Sequence, residues 1–221
     1  MRTVDGTVRI TARWEPDTDW VFDEHRTARG EALLPGSAYP ELVRGALQEL
    51  GVTRPFELRD LTFLRPLAAD GSDPVTARVT LTPSEQGYRV DVAESVTVDR
   101  TTAEDEPAAG RTGWRRTGEA EVLLYDQAAP DDLDLDAIAE RFPRRGQTRT
   151  QQQDHLRFGP RWNVVDRVQY GDDGAIAWLH LDDEFRGDLD TVGLHPALLD
   201  LATGFAMDLV EGYSGDRLWV P

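Results

Sequence analysis

Residues 37–50 read SAYPELVRGALQEL, and their spacing predicts the helix around which the rest of the chain can be organised. Tyr39, Leu42, Val43, Ala46, Leu47 and Leu50 recur at helical intervals and form one apolar face. Ser37 is placed to cap the N-terminus, Pro40 falls in the first turn where a missing N–H is harmless, and Gly51 can close the C-terminus. On either side the period changes to two. Residues 7–14, TVRITARW, alternate Val8, Ile10, Ala12 and Trp14 with Thr7, Arg9, Thr11 and Arg13, as a half-buried strand does. Downstream, VTARVTLT (75–82), YRVDV (88–92) and GEAEVLLY (118–125) read as strands, with ELRDLTFLRPL (57–67) a less regular fourth. TTAEDEPAAGRTG (101–113) reads as an exposed loop. One strand, one helix and about four more strands make an α+β unit over residues 1–125, in which a sheet can wrap a single helix.

Residues 126–154 read as a linker with a short helix at 135–142. Beyond it, NVVDRVQY (163–170) and AIAWLHL (175–181), joined by GDDG, predict a hairpin, and a second helix is predicted from Pro196 to about Glu211. Strand followed by helix repeats the order of the first unit, so residues 155–221 read as the start of a second copy. Residues 51–125 follow the first helix, but only 212–221 follow the second, and RLWVP (217–221) looks like a strand cut short. The expectation is a domain from which roughly 60–80 residues are absent.

Composition removes several classes of function. The 221 residues, 39% hydrophobic and 29% charged, are globular in composition. A net charge of -17 argues against nucleic-acid binding through a basic face. Every basic residue is Arg, which leaves no Schiff-base lysine and no P-loop lysine. The absence of Cys removes thiol nucleophiles, disulfides and thiolate metal sites. No apolar run approaches the roughly 18 residues that cross a bilayer, and MRTVDGTVRI lacks the core of a signal peptide, so a soluble cytoplasmic protein is expected.

Of the four histidines, His25, His155, His180 and His195, none sits at a metal-ligand spacing, and no metal is expected. His180 alternates within a strand and reads as structural; His155 lies in a Gln-rich segment and reads as solvated. His25 stands in WVFDEHRTARGEALLPGSAYPELV (20–43), just ahead of a helix start whose free N–H groups can polarise a carbonyl. The competing reading is a surface imidazole beside Asp23 and Glu24. Asp200 stands in LHPALLDLATGFAMDLVEG (194–212), opposite a stripe of Leu198, Leu201, Ala202, Phe205 and Leu209. It reads either as part of a solvated face or as a carboxyl among Ala197, Gly204 and Met207, where room for a ligand would raise its pKa. Asp131, Asp132, Asp134 and Asp136 lack calcium-loop spacing and read as helix-start charge.

At the His25 and Asp200 segments the chain resembles the dehydratase domains of modular polyketide synthases. The signature HxxxGxxxxP is matched by His25, Gly30 and Pro35, with four residues between His25 and Gly30 where the signature has three. LPGSAYPEL (34–42) resembles the family's LPG(T/A)AYLEL, HPALLD (195–200) is intact, FGPRW (158–162) is similar to YGPxF, and LRDLTFLRPL (58–67) resembles the strand after the helix. Gly204 stands where the family usually has Gln or His to orient the aspartate.

The resemblance implies an α+β double hotdog with a truncated C-terminal unit. It implies elimination of water from a β-hydroxyacyl group carried on the phosphopantetheine arm of an acyl carrier protein, with no metal or redox cofactor. His25 would be the base and Asp200 the acid, one from each hotdog unit. N–H groups near Gly36 and Ser37 would bind the thioester carbonyl; Leu34, Pro35, Phe158, Gly159 and Pro160 would line an acyl tunnel, and Gly204 would join the substrate-binding residues. The implied partners are the carrier protein and the other domains of a synthase that is a candidate homodimer; Arg144, Arg145 and Arg149 are candidates for carrier docking. Two alternatives stand beside this reading. The same dyad could close a ring by adding an internal hydroxyl to the new double bond, which a pocket enlarged at Gly204 would favour, or the domain could be an inactive scaffold. A separation of about 4–8 Å between imidazole and carboxylate fits catalysis, whereas an outward-facing aspartate fits the scaffold.

Overall fold

The computed structural model describes residues 2–4, 6–98, 111–126, 131–149 and 154–216. The period-two segments of the N-terminal half pair into one antiparallel sheet. Its strands are β1 (Arg2–Val4), β2 (Thr7–Trp14), β4 (Phe56–Phe63), β5 (Val75–Pro83), β6 (Gly87–Val98) and β7 (Arg111–Leu124), in the order β1-β2-β5-β6-β7-β4. Alternation sets the buried face: Val75, Ala77, Val79 and Leu81 of β5 are buried, and the residues between them are not. The irregular reading of β4 has a backbone cause. Asp60 adopts φ 51, and the register against β7 slips between Arg59 and Thr62, as at a bulge.

The helix predicted over 37–50 is α2 (Ala38–Glu49), with Tyr39, Val43, Ala46 and Leu47 buried. Gly51, at φ 79, ends it: the Val52 N–H donates to Leu47 O and the Gly51 N–H to Gln48 O, which satisfies two terminal carbonyls. Ser37 is no cap. Its buried hydroxyl makes no hydrogen bond of ordinary length, and Pro35 O and Gly36 O accept from Ala38 and Tyr39 instead.

The remaining elements are α1 (Trp20–Asp23), β3 (His25–Thr27), α3 (Leu135–Glu140), β8 (Arg144–Arg145), β9 (Leu156–Phe158), β10 (Val165–Tyr170), β11 (Ala175–Leu179) and α4 (Pro196–Gly204). Strands β10 and β11 form the predicted hairpin, closed by the Gly171 N–H on Gly174 O at 2.9 Å. The described part of the expected linker is structured: Asp134 Oδ1 accepts from the Ala137 N–H and caps α3, and β8 pairs with β10. Helix α4 stops at Gly204, short of Glu211, because Thr203 and Gly204 are weak helix formers; a single 3₁₀ turn, Met207–Leu209, follows. The RLWVP segment and residues 101–110 lie outside the described residues; Arg111, Thr112 and Gly113, read as loop, belong to β7.

The chain divides into two compact units, Met1–Pro16 with Gly45–Asp126, and Asp17–Arg44 with Gln127–Pro221. They are discontinuous in sequence, unlike the contiguous segments 1–125, 126–154 and 155–221. The cause is the antiparallel pairing of β3 with β9, His25 opposite Phe158 and Thr27 opposite Leu156. Both signature segments therefore fall in one compact unit. Its core packs Trp162, Val164, Leu181, Ala197 and Leu201 against Trp20, Phe158 and Phe185.

Candidate active site

His25 opens β3 and is buried, 4% exposed. A tight turn follows, with the Gly30 N–H on Thr27 O and the Thr27 N–H on Glu31 O. Gly30 has φ 93, a conformation that a side chain would strain, so the turn that follows His25 requires glycine there. Arg26 pins the turn through Gly30 O, Asp23 O and the carboxylates of Asp17 and Asp23. The His25 Nδ1 lies 2.7 Å from Leu33 O. A carbonyl only accepts, so Nδ1 carries the hydrogen and Nε2 presents its lone pair. Burial holds the His25 pKa below the ordinary histidine value, against the opposing influences of Asp200 and Leu33 O.

Nε2 faces Asp200, 4.0 Å from its Oδ2. Helix α4 buries Pro196, Ala197 and Leu201 and packs Leu198 against the same core, while Ala202 and Leu209 of the predicted stripe are exposed. That phase turns Asp200 inward with a quarter of its side chain exposed. Oδ2 accepts a hydrogen bond from the Trp162 indole N–H at 2.9 Å. Burial pushes the Asp200 pKa up; His25, Trp162 and the nearby Ser37 hydroxyl pull it partly back. A histidine inclined to be neutral thus faces a carboxyl inclined to be protonated, the opposed pair that acid–base chemistry near neutral pH requires.

Charged groups brace both members. The Arg161 guanidinium contacts Glu24 Oε1 at 2.5 Å and Asp188 Oδ2 at 2.7 Å, and its backbone N–H donates to Glu24 Oε2 at 2.7 Å. Glu24 immediately precedes His25, so the ion pair fixes the start of β3. His195, 3% exposed, stands at the N-cap position of α4 without a side-chain capping bond, in stacked contact with Trp20 and with its Nε2 3.6 Å from Asp188. At the same end of α4, Glu41 Oε2 accepts from the Leu194 N–H and the Arg44 guanidinium. Gly159 must be glycine, because an added Cβ would lie 2.3 Å from Glu24 Cγ. Gly159→Ala is expected to destabilise the fold by about 1–3 kcal/mol through displacement of Glu24, read as a lower urea midpoint with unchanged slope.

The other expected site residues are distributed unevenly. Leu34 and Pro35 are buried, Phe158 lies 5.6 Å from His25 between ring centroids, and Pro160 is exposed. A Cβ at Gly204 would meet nothing within 4 Å. His155 is half-buried, with its Nε2 2.9 Å from Gly215 O, and His180 is exposed just beyond β11. In the arginine cluster, Arg149 pairs with Asp154 and Arg144 with Asp172, which offsets two of its three charges. Among the described residues no group of three His, Asp or Glu side chains could hold a metal, and no helix is long and apolar enough to cross a membrane. Trp162, Glu24, Arg161 and Asp188 escaped the sequence reading. Only Trp162 carried a signal, an N–H donor at an aromatic position of FGPRW.

Two family models match the chain: "Polyketide synthase dehydratase domain" over residues 1–95 and "Polyketide synthase dehydratase N-terminal domain" over residues 130–217. The polyketide synthase PksN of Bacillus subtilis is 25% identical over 214 residues, and GfsE of Streptomyces halstedii 29% over 206. These matches cover 92% and 87% of this chain but only 4% and 5% of the synthases. Among solved structures, an N-terminal dehydratase from the difficidin assembly line superposes with a TM-score of 0.72 at 22% identity, over 91% of this chain and 70% of that one. The dehydratase domain from the CurF module of curacin polyketide synthase gives 0.78 at 14% identity, over 97% and 75%. The fold is the double hotdog of those domains.

Proposed function

Because the chain belongs to the polyketide synthase dehydratase family, we propose that it removes water from a β-hydroxyacyl thioester delivered on the phosphopantetheine arm of an acyl carrier protein, with His25 as base and Asp200 as acid. The observation that carries the reading is the 4.0 Å approach of His25 Nε2 to Asp200 Oδ2, with the two pKa values displaced in opposite directions.

Nε2 takes the α-proton, and the electron pair of the broken C–H bond moves toward the thioester carbonyl. The Ala38 and Tyr39 N–H groups are engaged by Pro35 O and Gly36 O. The preceding N–H groups, of Gly36 and Ser37, are the donors assigned to the carbonyl oxygen. The β-carbon–oxygen bond then breaks as Asp200 gives its proton to the departing hydroxyl, which leaves as water. The dyad ends as imidazolium and carboxylate. One proton passing from His25 to Asp200, directly or through a water, restores it for the next turnover. Every step is redox-neutral, so the reaction itself asks for no electron carrier. Leu34, Pro35 and Phe158 would flank the acyl chain. The inward-facing Asp200 weighs against the scaffold reading.

Incubation of a 3-hydroxyacyl carrier protein with the full chain tests the proposal by mass spectrometry. The expected product is lighter by one water, and recovery of unchanged substrate under conditions where the chain is folded would refute it. The carrier protein and neighbouring synthase domains enter as proposed partners on the same footing.

A further inference from the structure

We propose that Trp162 is the positioning residue of Asp200, its indole N–H doing what a side chain at position 204 would otherwise do. The bond from Nε1 to Oδ2 is 2.9 Å long. Trp162 itself is 2% exposed and has no freedom to turn away. Its ring is parallel to Phe158 at 5.8 Å, tilted against Trp20 at 6.0 Å, and 5.5 Å from the His25 imidazole. Its backbone N–H donates to Gly159 O, in the segment that β9 ties to His25. One indole therefore touches both members of the dyad and sets their spacing.

Position 204 follows Asp200 by one helical turn and so projects from the same face. Gly204 has no side chain to offer, and the space around its missing Cβ is open to 4 Å. The donor has moved from the helix to the 3₁₀ turn Pro160–Trp162. That exchange has a chemical consequence, because an indole donates and never accepts. Oδ2 is committed as an acceptor, which favours Oδ1 as the seat of the acidic hydrogen. A glutamine amide, which can both donate and accept, would impose no such preference.

The test has a spectroscopic arm and a kinetic arm, both on the full chain. In a ¹H–¹⁵N spectrum the Trp162 indole resonance is identified by its loss in Trp162→Phe. It is expected to shift with pH as Asp200 ionises, to keep that titration in His25→Asn and to lose it in Asp200→Asn. A resonance that ignores pH in the wild type, or still titrates in Asp200→Asn, overturns the assignment. In the kinetic arm, Trp162→Phe should lower kcat by about 10- to 100-fold, with KM changed by less than about twofold. The alkaline limb of its rate profile should move to higher pH, because the donor that favours the ionised carboxylate is gone. Adding Gly204→Gln should recover part of the lost kcat; recovery of none, with the fold intact, counts against the exchange of donors. The kinetic arm rests on the dehydratase reading and the spectroscopic arm does not. A wild type that titrates as expected but turns over no substrate refutes that reading alone.

Discussion

Replacing His25 by Asn should lower kcat for dehydration by about 10²–10⁴-fold, the range that a positioned general base supplies. Asparagine is the informative substitution because its amide N–H sits near the place of Nδ1 and can still donate to Leu33 O, the carbonyl that holds the imidazole at 2.7 Å. The backbone of β3 keeps its partner while the lone pair at Nε2 disappears. Circular dichroism and melting should therefore change little beside the loss of turnover, and KM should stay close to the wild-type value. Turnover within twofold of wild type would remove His25 from the mechanism. A stability effect tied to pH should disappear in the same variant. The folded-state pKa of His25 lies below its unfolded value, so folding is disfavoured as pH falls from about 6.5 through the depressed value. His25→Asn should melt more evenly across that window than the wild type.

Asp200→Asn should cost a comparable factor in kcat, about 10²–10⁴-fold, while raising the melting temperature at neutral pH. The two outcomes share one cause. Burial raises the Asp200 pKa above its unfolded value, so the folded state holds that proton more tightly than the unfolded chain does. Stability linked to the group is complete below about pH 3.9 and is lost as pH rises through the elevated folded value. Asparagine carries no charge to bury, and its carbonyl can still accept from Trp162. The difference in melting temperature should open in favour of the variant as pH rises. An Asp200→Asn variant that melts below wild type across the whole range would show that the carboxylate is not strained where it sits. Undiminished turnover would remove it as the acid.

Legibility in the sequence followed the length of each pattern. Strands β2 and β5 alternate over eight or more residues, and their buried faces follow from side-chain alternation alone. The three residues of β3 are too few to show a period. Their partner strand lies on the far side of the β4–β7 segment, so the discontinuous unit could not be read from neighbouring sequence. His25 and Asp200 were legible as motif residues whose resemblance implied a dyad, but the strand pairing that brings their segments together was not legible. The helical wheel placed Leu198 and Leu201 on the packed face of α4 and misplaced Leu209 for a definable reason: it assumed one helix to Glu211, and once the chain turns at Gly204 the later Leu209 no longer shares the helix phase. The Glu24–Arg161–Asp188 ion pairs join three segments whose charges look like ordinary solvated surface in one dimension. Trp162 fell in an apolar slot, where its bulk was apparent and the direction of its N–H was not.

The β3–β9 clasp has a bearing on how such domains are recombined. A hybrid gene spliced at residue 126 draws its imidazole from one parent and its carboxyl from the other. Both belong to one compact unit, so the parents must agree on strand register at residues 25–27 and 156–158 before their dyad can assemble. A crossover that leaves both partner segments with a single donor parent carries the whole constellation intact.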